Sequence, residues 1–233
     1  FYRHAAPAGT GARFPYSRKD PLMTHHSQLL SLALAQPSGI ALQRPFYTDP
    51  DLFQADLDLI WYRTWIYAAA VAELPKAGAY VTLQLGAYPV VITRGADGAI
   101  RAFHNVCRHR GQRLCAKPAG QAVKLVCPYH QWTYDTDGKL LWARDMGEDF
   151  DPAQHGLKPV HCETAANMVF ICLAETAPDF SAVQAAAARY AAPHRLDDLK
   201  VAHQSRIIEG GNWKLVLENN RECYHCGGSH PEL

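Results

Sequence analysis

Cys107-Arg108-His109-Arg110-Gly111 and Cys127-Pro128-Tyr129-His130-Gln131-Trp132 each carry one cysteine and one histidine in a stretch with loop character. The spacings are C-x-H and C-x2-H, with 17 residues between His109 and Cys127. This donor set suits a mixed-ligand [2Fe–2S] cluster, two thiolates on one iron and two imidazoles on the other. Replacing thiolate by neutral imidazole removes negative charge and raises the reduction potential. Tetrahedral zinc is the rival, since two cysteines and two histidines suit it too. A zinc finger, however, pairs Cys with Cys and His with His and places its histidines on a helix. Here each loop supplies one of each.

The flanking sequence reads as an antiparallel β-domain of about a hundred residues. Strands are expected at 65–70, 80–85, 90–93, 100–103, 123–126, 131–134, 140–142 and 168–173. Gly95-Ala96-Asp97-Gly98 and Asp135-Thr136-Asp137-Gly138 supply turns. Before it, Thr48-Asp49-Pro50 caps a helix start, and Leu52, Phe53, Leu57, Ile60 and Trp61 follow near helical spacing. After it, Pro178-Asp179 opens an alanine-rich helix over 180–192, ended by Pro193. A strand is expected at 200–208, a break at Gly210-Gly211 and a helix over 213–226. The division expected is an arm at 1–44, a helix at 45–64, the β-domain at 65–175, and a linker helix with the start of a second domain at 176–233.

Composition narrows the function. The chain has 233 residues, 48% of them hydrophobic, with 23 Lys plus Arg against 22 Asp plus Glu, a net charge of +1. A strongly basic nucleic-acid binder is disfavoured, and no apolar run approaches the roughly 18 residues of a membrane span. Seven cysteines, an odd number, argue against a secreted disulfide scaffold. With twelve histidines they suggest metal in a reducing, cytoplasmic setting. Cys115, Cys162 and Cys172 read as structural, Cys172 as a small hydrophobe. Arg108, Arg110, Arg113, Lys117 and Lys124 form a local basic excess. It reads equally as a solvated face or as a docking surface for an acidic electron donor. Residues 1–22, rich in Arg, Gly, Ala and Pro, are expected to be an upstream extension without function. A ligand-dense run at Leu233 suggests the N-terminal portion of a longer protein.

That run holds a second constellation: Glu218, Glu222, His225 and His230. On a helix the first three are spaced i, i+4, i+7 and share a face. Gly227-Gly228 would end the helix and let His230 approach His225. Two imidazoles beside carboxylates suit Fe(II) in a 2-His-1-carboxylate site open to O2. Cys223 and Cys226 form a C-x2-C that, with the histidines, could also read as zinc.

The first constellation resembles the Rieske motif. The resemblance implies that Cys107 and Cys127 ligate the inner iron of a [2Fe–2S] cluster, and His109 and His130 the outer one. Respiratory Rieske proteins carry an extra cysteine in each loop, and Tyr129 stands at that place in the second. The pattern therefore resembles the Rieske domain of ring-hydroxylating and N-demethylating oxygenases, in which an aromatic such as Trp132 shields the cluster. The second constellation is similar to the start of the catalytic domain of the same Rieske non-haem iron oxygenase alpha subunits. Their pattern is acid-x3-acid-x2-His-x4-His. His225 and His230 match the two histidine ligands of the mononuclear Fe(II). The third, an aspartate more than a hundred residues further on, lies past Leu233. Glu222 matches the carboxylate that links the mononuclear site of one subunit to the second Rieske histidine of its neighbour in a homotrimer. Glu at that position, within Glu-Asn-Asn-Arg-Glu-Cys-Tyr-His-Cys (218–226), resembles the branch that oxidises quaternary ammonium compounds, such as the glycine betaine and stachydrine (proline betaine) demethylases.

The resemblance covers about Pro45 to Leu233. It implies an α+β fold, an antiparallel β Rieske domain followed by the start of a helix-over-sheet catalytic domain. It implies a monooxygenase component taking electrons from an NAD(P)H-dependent flavin and iron–sulfur reductase. With O2 it would N-demethylate a small quaternary ammonium substrate and release formaldehyde. Nucleic acid and membrane partners are not expected. Carnitine-type C–N cleavage, ring hydroxylation and a pure electron-transfer Rieske protein stay open beside it.

Overall fold

The computed structural model describes residues 21–230, so the upstream extension expected over 1–22 lies almost wholly outside the described residues. Two compact units divide the chain, one of residues 54–209 and one formed by 1–53 with 210–233.

The first unit is the β-domain. Its described strands are β1 (Ile66–Ala70), β2 (Ala79–Leu85), β3 (Tyr88–Arg94), β4 (Ile100–His104), β5 (Ala119–Gln121), β6 (Leu125–Val126), β7 (Thr133–Tyr134), β8 (Leu140–Trp142), β9 (Pro159–Ala165) and β10 (Met168–Cys172). One sheet runs β1-β10-β9-β4-β3-β2-β5, and a small sheet runs β6-β7-β8. All pairings are antiparallel.

Side-chain alternation sets the layout. In β3, Val90 and Ile92 join a core with Val81, Ala102, Val169 and Ile171. Val91, between them, joins a second core with Tyr80, Phe103, Leu125, Trp132 and Tyr134. β3 is therefore buried on both faces, which is why it reads as the unbroken run Val90-Val91-Ile92 rather than an alternation. Each such side chain contributes about 1.5–3 kcal/mol on burial. The second core contains Cys107 and Cys127, so the two Cys/His loops rest directly on the sheet.

Two strands were not expected. β9, PVHCETA, is mostly exposed and has no apolar run, and it takes strand geometry by pairing with β10 on one side and β4 on the other. β5 is Ala-Gly-Gln, with weak strand propensity, and its Gly120 packs where a Cβ would meet the Tyr80 ring. The strand expected over 123–126 shortens to Leu125–Val126. The strand expected over 200–208 is absent. Those residues are exposed and pair with no strand among the described residues, and a lone strand has nothing to satisfy its backbone groups. The alanine-rich helix is α4 (Ser181–Tyr190), preceded by Asp179, whose carboxylate accepts the Ser181 N–H at 3.2 Å. Three short helices lie ahead of it in the chain.

Those three belong to the N-terminal part: α1 (Pro21–Leu34), α2 (Pro45–Thr48) and α3 (Pro50–Asp56), the last running into a π-helical turn at Leu57–Trp61. Asp49 caps α3 as expected. Its carboxylate accepts the N–H groups of Asp51 and Leu52 at 2.8 and 3.2 Å. In the second unit, α5 (Trp213–Arg221) is capped by Asn212 and held to α2 by two polar contacts. The Tyr47 hydroxyl donates to the Glu218 carboxylate at 2.9 Å, and the Lys214 ammonium to the Phe46 carbonyl at 3.2 Å.

The helix expected over 213–226 ends early. Glu222 leaves helical geometry at φ −102°, ψ 69°, and its N–H is shared between the Glu218 and Asn219 carbonyls. Asn219 and Asn220 favour local hydrogen bonding over helix, which weakens the last turn. A 3-10 turn at Cys223–His225 follows, then α6 (Cys226–Ser229), which contains Gly227-Gly228 instead of ending before them.

One buried polar residue ties loop to sheet. Asn105, 1% exposed, donates to the Cys115 carbonyl at 2.7 Å and accepts the Cys115 N–H at 2.8 Å. Asn105→Ala strands both groups in a dry lobe, so the β-domain should lose about 2–3 kcal/mol. A thermal melt of the variant should fall by roughly 5–10 °C; an unchanged melting point would show that the bracket carries no stability.

Candidate metal centre

The two loops share one backbone design. In the first, the Cys107 N–H donates to the Gln112 carbonyl at 2.8 Å and the Gly111 N–H returns to the Cys107 carbonyl at 3.0 Å. In the second, the Cys127 N–H donates to the Trp132 carbonyl at 2.8 Å and the Gln131 N–H returns to the Cys127 carbonyl at 2.9 Å. Each turn needs a left-handed residue four places after its cysteine. Gly111 supplies it at φ 75°, and Gln131 at φ 63° in spite of its Cβ.

This repeat delivers four donors as two pairs. Cys107 and Cys127 are each 2% exposed and belong to one buried cluster. His109 is half-buried and His130 exposed, with ring centroids 4.7 Å apart. Trp132, 4% exposed, stacks on His109 at 5.0 Å with planes 12° apart, where it excludes water from one face of the imidazole. Burial first, then His130 and Arg110, push the His109 pKa down, which favours the neutral form that binds metal. Burial raises Cys127, and the Cys107 thiol beside it adds to the rise. Two thiolates there need a positive centre between them.

No three His, Cys, Asp or Glu among the described residues close round a single point. A two-iron cluster instead takes two donors at each iron, with sulfur inside and nitrogen outside, and the paired arrangement fits it.

Tyr134, fully buried, adds a group whose role the sequence did not reveal beyond its place in a strand. Its hydroxyl accepts the Arg108 N–H at 3.0 Å and lies 3.3 Å from the Cys107 sulfur, to which it can donate. Burial and the sulfur push the phenol pKa up, so the proton stays in place. A hydroxyl-bearing ring at an otherwise apolar core position, four residues after His130, was the available signal. Cys115 and Cys162 behave as inert core thiols, pushed by burial up to about 11 and about 12. Cys172, 1% exposed, packs as a hydrophobe.

The second constellation comes together in part. The His225 and His230 rings lie 5.6 Å apart at 69°. His225 Nδ1 lies 2.6 Å from the Glu222 main-chain carbonyl, and donation there leaves Nε2 for metal. The single helical face expected for Glu218, Glu222 and His225 is not formed, because α5 ends at Arg221. Glu222 is exposed, and its carboxylate has no partner among the described residues. Glu218 is occupied by Tyr47. Cys226 is half-buried.

Comparison with known proteins matches the same two regions. The Rieske [2Fe-2S] domain family matches residues 64–162, and the ring hydroxylating alpha subunit catalytic domain matches 196–233. The glycine betaine monooxygenase oxygenase subunit of Pseudomonas aeruginosa is 48% identical over 92% of this chain, and that of Chromohalobacter salexigens is 47% identical over 92%. The chain belongs to the Rieske non-haem iron oxygenase alpha subunits. The carnitine monooxygenase oxygenase subunit of Escherichia coli is 36% identical over 80% of the chain. Among solved structures, a quaternary ammonium Rieske monooxygenase in complex with L-carnitine superposes with a TM-score of 0.75. It is 36% identical over 81% of this chain and 55% of that one. The chain spans about half the length of these curated relatives, 50%, 48% and 51%. The groups of this family are a [2Fe–2S] cluster and a mononuclear iron. No described helix is long and apolar enough to cross a membrane.

Hydrogen bonds to cluster sulfur tune Rieske potentials. One bond of about 1 kcal/mol corresponds to roughly 40 mV for a one-electron couple. Tyr134→Phe should therefore lower the cluster's reduction potential by about that amount with its visible spectrum retained. A potential equal to the wild type in a redox titration would remove Tyr134 from the cluster's surroundings.

Proposed function

We propose that this chain is part of a Rieske monooxygenase component that oxidatively N-demethylates a small quaternary ammonium compound, glycine betaine or proline betaine, releasing formaldehyde. The observation that carries the reading is a contrast along one stretch of chain: 48% identity to glycine betaine oxygenase subunits against 36% to carnitine subunits. Carnitine oxidation is the second reading, favoured by the likeness to the carnitine-bound structure.

Cys107 and Cys127 hold the inner iron of the cluster and His109 and His130 the outer one. His225 and His230 would be two of the ligands that hold the mononuclear iron. When bound, the cluster supplies one-electron transfer and the mononuclear iron supplies O2 activation. The residues of the chain do the holding, aiming and shielding. Trp132 covers His109, and the Glu222 carbonyl fixes the His225 tautomer. In a homotrimer, the exposed Glu222 carboxylate accepts the ring N–H of His130 from a neighbouring subunit. Glu222 then joins the two sites through its carbonyl on one side and its carboxylate on the other, coupling imidazole protonation to redox state. The β-domain at 65–175 is the Rieske domain and 176–233 the linker helix and start of the catalytic domain. Electrons come from an NAD(P)H-dependent flavin and iron–sulfur reductase in the cytoplasm.

The test is formaldehyde release by the full-length protein with such a reductase, NADH and O2, on glycine betaine, proline betaine and carnitine. Formaldehyde from a betaine is expected; trimethylamine from carnitine, or no product from any of them, would overturn the reading. Glu222→Gln should cut turnover about 10- to 100-fold, the usual cost of losing an outer-shell partner, with both metal sites still loaded. Full turnover in that variant would dismiss the bridge.

A further inference from the structure

The basic excess around the first loop holds two paired cations and, among the described residues, three without a side-chain partner, Arg108, Arg110 and Lys117, of which only Arg108 lines a pocket away from the imidazoles. Arg113 donates to the Gln84 side chain at 2.6 Å, and Lys124 pairs with Asp135 at 2.9 Å. Arg108 has no side-chain partner among the described residues, and neither has Lys158, which the local sequence window did not include. Both are exposed, and both line one pocket of about 470 Å³ with His104, Tyr88, Val106 and Cys107. No Asp or Glu lines it. The pocket shares no residue with the depression at His109, His130 and Trp132 on the imidazole side of the site.

We infer that this pocket is the docking site of an acidic electron-carrier protein, the iron–sulfur domain of the reductase, with a carboxylate side chain seated between Arg108 and Lys158. The inference rests on the monooxygenase reading above and adds where the donor binds. Unpaired cations left without a counter-charge steer and select an anionic partner. Tyr88, 42% exposed, and Val106 offer an aromatic and apolar anchor of the kind that stabilises a transient interface. Cys107, 2% exposed, forms part of the pocket wall, so a protein docked there lies against the backbone segment that carries the residue assigned to the inner iron. The imidazole side is left to the neighbouring subunit, and the two partners do not compete for one surface.

The experiment measures association of the full-length holoprotein with the reductase that supports wild-type turnover, by stopped-flow and by calorimetry, across ionic strength. The double variant R108E/K158E should associate about tenfold more slowly at low salt, with the difference closing near 0.5 M salt. R108Q/K158Q should fall between, and Lys117→Glu, an equally exposed cation outside the pocket, should match the wild type. Retention of the cluster's visible spectrum shows that the variants are folded. If wild type binds and R108E/K158E binds equally well, the docking site is wrong and the monooxygenase reading stands. If Lys117→Glu weakens binding as much, the attraction is diffuse and the pocket is not the site. A wild-type protein that neither binds a reductase nor turns over with one overturns both.

Discussion

Cys107 and Cys127 bring two ionisable sulfurs side by side into a lobe lined by Leu114, Leu125, Tyr134 and Leu140. Burying two thiolates without a counter-charge is costly, so the pair as thiolates calls for a positive centre between them. The backbone meets this demand twice with the same turn, each cysteine N–H donating five residues ahead and each carbonyl accepting from four residues ahead. Those bonds aim the sulfurs inward and carry the imidazoles outward. The Asn105 bracket, the Trp132 stack and the Tyr134 hydroxyl then hold the frame.

The sheet beneath is built to carry that lobe. β3 is apolar on both faces because one face closes the domain's own core and the other closes the lobe. Thr93, fully buried on β3, donates to the Thr136 carbonyl at 2.8 Å and so pins the turn between β7 and β8 to the sheet. The site therefore sits on rigid elements, which keeps metal-binding loops in register. The C-terminal segment has a different character. Its helix α5 carries exposed Leu215, Val216 and Leu217, and its two histidines sit on short turns.

Electrostatics divides the surface of the β-domain. Several cations are neutralised within the chain, as Lys124 is by Asp135, whose carboxyl is held below its usual range chiefly by that ammonium. Exposed pairs of this kind add little stability. Among the described residues Arg108 and Lys158 have no counter-charge at one pocket, and charge left open at a defined place is a feature of recognition more than of folding.

Much of this was legible in the sequence. Cysteine and histidine spacing located both constellations, because a ligand set is a local pattern of residue types. Apolar runs located β1 to β4, β6 to β8 and β10, because side-chain period reports burial directly. Tertiary structure decided the rest. β5 and β9 are strands only because neighbours complete their hydrogen bonds, whereas 200–208, with Val201, Ile207 and Ile208, stays irregular for want of one. The break at Glu222 came from competition between backbone carbonyls, which propensity alone did not resolve. Tyr134 and Lys158 reach the site from 27 and 51 residues beyond Cys107, distances over which sequence carries no spatial information until the chain is folded.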